Sequence, residues 1–230
     1  MSLHRSLVPL AVVTALVLTG CSGDGSSNDE ATPEQVLAQA KKRLDETSGV
    51  RLMLATPALP KEVSGVVKAD GIANHQPAFE GDIDLVYSGI TATVPVTAVD
   101  GVVWAVLPFT KEYVQVDPAE YGAPDPAALM DPESGVSAWL TAATGVQEGK
   151  AVRDGADVLS SYDAVVPGTA VAGAIPSADR TDEFVTSFSI DEGGRLRTAS
   201  LSGAFYRGKP ELTYEITLTA YGTAKDIQKP

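Results

Sequence analysis

From Val50 onward, apolar and polar residues alternate with a period of two along most of the chain. Over residues 79–87 the odd positions are apolar or small and acidic side chains occupy even positions, and segments 90–97 and 211–220 repeat the pattern. This alternation is typical of half-buried β-strands, because successive side chains point to opposite faces of a sheet. The sequence therefore predicts an antiparallel sheet with one apolar face and one solvated face.

Short turn signals separate the strand-like runs. Ser88-Gly89, Asp100-Gly101, Asp154-Gly155 and Glu192-Gly193-Gly194 each lie between two such runs. Glycine after a small or acidic residue is a frequent signal for a tight hairpin connection. We therefore expect the strands to follow one another as a meander.

Three segments depart from the period of two. Thr32-Pro33-Glu34-Gln35 has the pattern of a capped helix start, and apolar residues then lie along one helical stripe as far as Leu44. Segments 125–143 and 168–175 are interpreted as helices lying across the apolar face. The expected fold class is α+β, a curved antiparallel β-sheet or half-barrel with helices covering its concave face.

The apolar face contains many small residues, which raises the question of whether it is filled. The positions concerned are Gly65, Ala69, Gly71, Ala73, Gly81, Ala92 and Ala98. Small residues that face one another leave volume, and a roomy apolar interior would suit a lipid. The alternative is that the covering helices sit closer and close the gap.

Strand parity gives a set of candidate residues for an apolar pocket. From the sheet they are Leu52, Leu54, Val67, Ile83, Leu85, Val94, Val96, Trp104 and Val106. From the covering helices they are Leu129, Trp139 and Leu140, and the same face is extended by Phe184, Phe188 and Ile216.

Cys21 is the only cysteine, and it ends the tetrapeptide Leu18-Thr19-Gly20-Cys21. His4 and Arg5 form a charged start, and a mostly apolar run over residues 7–18 follows, as in a secretory signal peptide. Twelve helical residues rise only about 18 Å, short of a hydrocarbon core of about 30 Å. We predict a lipoprotein signal peptide at residues 1–20, lipid attachment at Cys21, and a flexible tether over 21–31 that precedes one domain, 32–230. The alternative is an ordinary signal peptide with a chance cysteine.

Composition excludes several classes of protein. The formal net charge of −13 repels the phosphate backbone of nucleic acids, so no nucleic-acid partner is expected. A single cysteine permits no disulfide within the chain.

Signals for catalysis are poor. His75 is the only histidine after the predicted signal peptide, and its place in a turn favours an exposed loop residue over a catalytic one. Glu80, Asp82 and Asp84 lie on one strand face but lack the loop geometry of a calcium site, so we expect no metal and no cofactor. The chain is not expected to be an enzyme.

Several motifs resemble one family of bacterial proteins. Beside the pattern at Cys21, the segments Asp100 to Ala105 and Asp125 to Val136 and the closing Tyr221-Gly222 and Lys229-Pro230 are similar to the LppX/LprAFG lipoproteins of mycobacteria and related actinobacteria, and to the LprG-like members most closely. The run Asp-Pro-x-x-Leu-x-x-Pro-x-x-Gly is the more specific of these signals.

The resemblance implies a half-barrel similar to the LolA/LolB lipoprotein carriers. It also implies an acylated glycolipid or triacylglycerol ligand, transfer from the plasma membrane towards the outer envelope, and a major-facilitator exporter as partner. The protein would then be anchored on the outer face of the plasma membrane. The alternative is a structural or interaction lipoprotein with a solid core and no lipid cavity.

Overall fold

The computed structural model describes residues 31–230 and begins with helix α1 (Pro33–Asp45). The expected capping box is present at its start. Thr32 Oγ1 accepts from the backbone N–H of Gln35 at 3.4 Å, and Gln35 Oε1 accepts from the backbone N–H of Thr32 at 2.9 Å. These two bonds satisfy donors that a helix start otherwise leaves free. The predicted apolar stripe of α1 is buried.

Within residues 31–230, twelve strands form one open sheet. They are β1 (Val50–Ala55), β2 (Gly65–Asn74), β3 (Ala78–Tyr87), β4 (Ile90–Val99), β5 (Val102–Ala105), β6 (Val114–Val116), β7 (Thr144–Glu148), β8 (Val152–Asp154), β9 (Asp157–Pro167), β10 (Glu183–Ile190), β11 (Leu196–Gly203) and β12 (Leu212–Thr219).

The strand order is β6-β5-β4-β3-β2-β1-β12-β11-β10-β9-β7, and β8 pairs with β9. All pairings are antiparallel. Two meanders, β1 to β6 and β9 to β12, join where β1 pairs with β12. The predicted α+β class and antiparallel sheet are confirmed.

Two hairpin turns have the backbone that their sequences indicated. Ser88 and Gly89 have φ of 49° and 78°, and Asp100 and Gly101 have φ of 54° and 72°. Positive φ at both central residues belongs to the type I′ turn, whose twist matches that of the flanking strands. These turns fix the register of β3 with β4 and of β4 with β5.

One face of the sheet, here called the inner face, is covered in two different ways. Helices α1, α2 (Val136–Ala142) and α3 (Gly168–Ala174) cover the half formed by β1 and β7 to β12. The indole of Trp139 on α2 donates to the carbonyl oxygen of Ala170 on α3 at 3.1 Å. Large aromatic side chains, Trp139, Phe184, Phe188 and Phe205 among them, are fully buried in this half.

The other half of the inner face lies under residues 117–130, here called the covering segment. It contains two 3₁₀ turns, Pro118–Tyr121 and Pro126–Met130. The stretch 125–143, interpreted as a helix that follows its prolines, begins as a 3₁₀ turn and becomes α-helical only in α2.

Residues 225–229 near the C-terminus lie over the opposite, outer face at β3 to β5. Lys225 pairs with Glu80 at 2.9 Å, and Lys229 lies 5.7 Å from the ring centre of Trp104. Ile227 is buried at the centre of this segment.

Among residues 31–230, no helix is both long and apolar enough to cross a membrane.

We expect Ile227→Ala to lower the free energy of unfolding by about 2–4 kcal/mol, because it removes a buried side chain and leaves a cavity. Gln228→Ala is the matched control. Gln228 adjoins Ile227 but its side chain is exposed, so the substitution should change the free energy of unfolding by less than about 0.5 kcal/mol. Urea unfolding measures both. Equal stability of the two variants would contradict the packing of the C-terminal segment.

Candidate functional site

The covering segment is shaped locally by two acidic caps and by proline. The Asp117 carboxylate accepts from the backbone N–H of Ala119, and the Asp125 carboxylate from that of Ala127, both at 2.9 Å. A proline follows each aspartate and supplies a backbone already set for a helical turn. The segment thus forms two short turns that are capped independently of the sheet.

Near its start, the covering segment packs against the end of the sheet where β2 begins and β3 ends. The rings of Tyr87 and Tyr121 are 5.2 Å apart. Gly122 has φ of 65°, and a β-carbon there would collide with the backbone oxygen of Ser64. The segment approaches the start of β2 this closely because glycine has no side chain.

At its far end, the covering segment is held by His75. The imidazole Nδ1 lies 2.8 Å from the carbonyl oxygen of Met130, and Nε2 lies 2.8 Å from that of Leu44 at the end of α1. Carbonyl oxygens only accept, so both contacts are hydrogen bonds when both ring nitrogens carry protons. The turn expected at His75 is present, but the expectation of an exposed side chain is wrong, because the ring is half-buried between α1 and the covering segment.

Two adjoining cavities lie beneath the covering segment, and both are apolar. Their volumes are about 20 Å³ and about 40 Å³. Ile83, Pro124 and Pro126 line both of them. A water molecule needs roughly 10–15 Å³ measured in this way, so each cavity has room for a few waters at most. The inner face is therefore closed, as in the second of the two alternatives drawn from the small residues.

Large neighbouring side chains occupy the space that the small residues leave. A β-carbon on Gly71 would collide with the ring of Phe79, and one on Gly65 would collide with the hydroxyl of Tyr206. The glycines admit an aromatic ring close to the backbone, and the volume expected from their size is already filled.

The predicted pocket residues fall into three groups. Those that line the cavities are Leu54, Ile83, Leu85, Val94, Val96 and Leu129. Those that are buried in the core away from the cavities are Leu52, Trp139, Leu140, Phe184, Phe188 and Ile216. Those that lie off the inner face are Val67, Trp104 and Val106.

Val67 was expected on the inner face by parity with Ala69, and this placement is wrong. The pairing of β2 with β3 shifts register between Val66 and Lys68, as at a β-bulge. A bulge inserts one residue and reverses the parity on one side of it. Val66 consequently lines the cavity, and Val67 lies in a surface groove formed with the loop that connects β1 to β2.

Trp104 and Val106 were also expected on the inner face, and this too is wrong. Residues directly opposite each other in an antiparallel pair share a face, and Ala105 lies opposite the inner-face residue Val96. Trp104, which lies opposite Thr97, therefore faces outwards, where Lys229 covers it. Val106 follows with the same parity, and its backbone N–H donates to the oxygen of Pro95 at 3.0 Å.

Two tyrosines, Tyr206 and Tyr214, line a cavity but are not among the residues predicted from the sequence. The hydroxyl of Tyr214 donates to the backbone oxygen of Val66 at 2.6 Å and lies 3.3 Å from the hydroxyl of Tyr206. Burial raises the pKa of both side chains, so both keep their protons. Their polar atoms satisfy each other and the backbone, which leaves the cavity wall apolar.

The residues from the covering segment itself, such as Ala123 and Pro124, were missed because they belong to no periodic element.

A family model described as LppX_LprAFG lipoprotein matches residues 32–229. No curated protein sequence matches the chain.

Two solved structures share the fold. LprF from Mycobacterium bovis aligns with a TM-score of 0.70 at 14% sequence identity, covering 86% of this chain and 96% of that one. The lipoprotein LppX from Mycobacterium tuberculosis aligns with a TM-score of 0.63 at 14% identity, covering 85% and 98%. A LolA-superfamily protein from Nitrosomonas europaea aligns with a TM-score of only 0.28 at 7% identity over 86% and 95% of the two chains.

We expect Gly122→Ala to destabilise the covering segment more than Gly101→Ala destabilises its turn. Both glycines have positive φ, but a β-carbon at Gly101 meets no atom within 4 Å, whereas one at Gly122 collides with Ser64. The difference in the free energy of unfolding should be about 1–3 kcal/mol. Urea unfolding measures it, and binding of an apolar fluorescent dye reports displacement of the segment. Equal effects of the two substitutions would contradict a close contact at Gly122.

Proposed function

The chain belongs to the LppX_LprAFG lipoprotein family, and from this membership we propose that it is a lipid-binding carrier whose acyl-chain site lies beneath the covering segment. The observation that carries the proposal is the pair of adjoining cavities between the covering segment and the sheet, one at β3 to β6 and the other at β1 to β3 and β12. Aliphatic and proline side chains dominate their walls, and no charged residue contributes to either wall. Such a wall suits hydrocarbon, since it offers no polar group that a lipid chain would leave without a partner.

Binding of an acyl chain requires the covering segment to move away from the sheet. Ligand pockets usually have about 300–1,000 Å³, far more than the cavities of about 20 and 40 Å³ beneath the closed segment. The two turns of the segment are held unequally, because Ala127, Leu129 and Met130 of the second turn are buried in the core, whereas Pro118–Tyr121 buries no residue. The first turn, which lies over the larger cavity, is the part whose displacement exposes the least apolar area. Short 3₁₀ turns also have weaker internal hydrogen bonding than an α-helix. This half of the inner face is therefore the half that can open.

Transfer of a lipid from a bilayer into such a site is close to balanced. Each methylene is worth about 0.8 kcal/mol in either apolar environment. The lipid can therefore be loaded and unloaded, and no covalent bond has to form or break. We accordingly propose a non-enzymatic carrier of acylated glycolipid or triacylglycerol, which acts between the plasma membrane and the outer envelope and delivers to a major-facilitator exporter.

The membrane anchor is part of the proposal. Cys21, the signal peptide over 1–20 and all of the tether over 21–31 except its last residue lie outside the described residues 31–230. Their support is the tetrapeptide Leu18-Thr19-Gly20-Cys21 together with the lipoprotein family. The single domain 32–230 would then be held within ten residues of the outer face of the plasma membrane.

A second candidate function is a structural or interaction lipoprotein with a solid core. The small volumes of the two cavities favour it. Lipid extraction of the purified protein followed by mass spectrometry separates the two functions. A carrier should contain diacyl or triacyl lipid, and a solid core should contain none.

We expect Val94→Phe to reduce the amount of lipid that co-purifies several-fold. Val94 is buried at the wall of the larger cavity, so the added ring occupies the space of an acyl chain at a cost in stability of about 1–3 kcal/mol. Thr91→Phe is the matched control, because residue 91 is exposed on the outer face of the same strand. Unchanged lipid occupancy in a folded Val94→Phe protein would argue that the chain does not bind lipid at this site.

Cys21→Ala should abolish lipid attachment, because alanine has no thiol to acylate. The protein should then be released into the medium or remain as unprocessed precursor, which cell fractionation and metabolic labelling with a fatty acid measure. Continued labelling of the variant would contradict attachment at Cys21.

A further inference from the structure

Large apolar side chains are exposed at one end of the sheet. Within the described part of the chain they are Tyr87, Ile90, Phe109 and Tyr113, here called the rim, with exposed fractions of 46%, 70%, 101% and 38%. Large apolar side chains are usually buried in a folded protein, and single exposed ones are common. A group of them exposed together indicates an interaction surface.

The rim residues share one end of the sheet because of the strand topology. Tyr87 and Ile90 face each other across the turn between β3 and β4. Phe109 and Tyr113 lie in the connection from β5 to β6, and β5 runs antiparallel to β4, towards the end at which β4 begins. The loop between β1 and β2 is also at this end, since Ser64 Oγ accepts from the backbone N–H of Ser88 at 3.3 Å.

The rim is continuous with the wall of the larger cavity. Tyr87 packs on Tyr121, which lines that cavity. Leu107, two residues before Phe109, lines it as well. An apolar path therefore leads from the exposed rim to the space beneath the covering segment.

The local charge at the rim differs from that of the whole protein. The segments 87–90 and 106–113 contain one lysine and one glutamate, Lys111 and Glu112, and are formally neutral in a chain with a net charge of −13. A surface without net charge is not repelled by lipid headgroups, and binding to it would depend on apolar insertion. Tyrosine and phenylalanine at a membrane boundary place apolar rings at headgroup level.

We propose that the rim is a surface that contacts the lipid bilayer. A bilayer is favoured over a protein partner because the predicted anchor at Cys21 keeps the domain beside a membrane, at the end of a tether of ten residues. The proposal rests on the proposed function for its role: the rim is the end of the inner face at which lipid passes between the bilayer and the cavity.

Fluorescence quenching in vesicles tests this contact directly. The acylated full-length protein, with Phe109→Trp, is placed in phosphatidylcholine vesicles with and without bromine atoms on the acyl chains. Val185→Trp is the matched control, because Val185 is 67% exposed on β10, away from the rim. Brominated vesicles should quench Phe109→Trp more than wild type and should leave Val185→Trp at the wild-type level. Absence of additional quenching at position 109 would overturn the proposal.

A transfer assay tests the role of the rim in loading. The double variant Ile90→Ser with Phe109→Ser should exchange triacylglycerol between vesicles about tenfold more slowly, because it loses most of the exposed apolar area of the rim. Its lipid content at saturation should equal that of wild type. Val152→Ser with Val185→Ser is the control, since both valines are exposed on the other half of the sheet.

The outcomes of the two experiments separate the two proposals. Absence of quenching at position 109 would overturn bilayer contact, whatever the transfer rate of the double variant. Wild-type protein that takes up no lipid would overturn the proposed function, while quenching at position 109 would still decide whether the rim contacts the bilayer.

Discussion

Keeping the apolar inner face from water is the constraint on which the rest of this structure depends. A single sheet cannot bury its own face, so other elements have to cover it. Under the three helices, large side chains fill the space and leave no cavity at Trp139, Phe184 and Phe188. Under the covering segment, two 3₁₀ turns leave two apolar cavities, whose walls also include Leu54 of β1 and Tyr214 of β12.

The difference between the halves follows from the residues of the covering segment. Pro118, Pro124 and Pro126 lack the backbone N–H that a continuing helix would need, so no long helix can form over β2 to β5. The turns that form instead are capped from within, by Asp117 and Asp125. The first turn buries no residue, whereas the second buries Leu129 and Met130 in the core, so the first turn is the weaker part of the cover.

The strands, turns and first helix could be predicted because each depends on residues close together in sequence. The capping box at Thr32 and the type I′ turn at Asp100-Gly101 are of this kind. The full set of residues that line the cavities could not be predicted, because it depends in part on how distant strands pair. A bulge beside Val66 reverses the parity of Val67 and leaves no mark in the alternation itself. The outward direction of Trp104, by contrast, follows from the two-residue turn at Asp100-Gly101, which sets Val99 opposite Val102, so the sequence contained that information. The role of His75 depends on two carbonyl oxygens far away in sequence.

A closed inner face is compatible with a carrier on physical grounds. An apolar space wide enough for acyl chains has to be hydrated or empty whenever it holds no lipid, and each Å² of apolar surface kept from water is worth about 25 cal/mol. A wall that moves inwards removes this cost, and a wall held by few contacts can move back. The place to look for lipid is therefore beneath the first turn, Pro118–Tyr121, which buries no residue and lies over the larger cavity. This turn also adjoins the exposed rim through Tyr121 and Tyr87, so an apolar wall and a surface suited to a bilayer meet in one region.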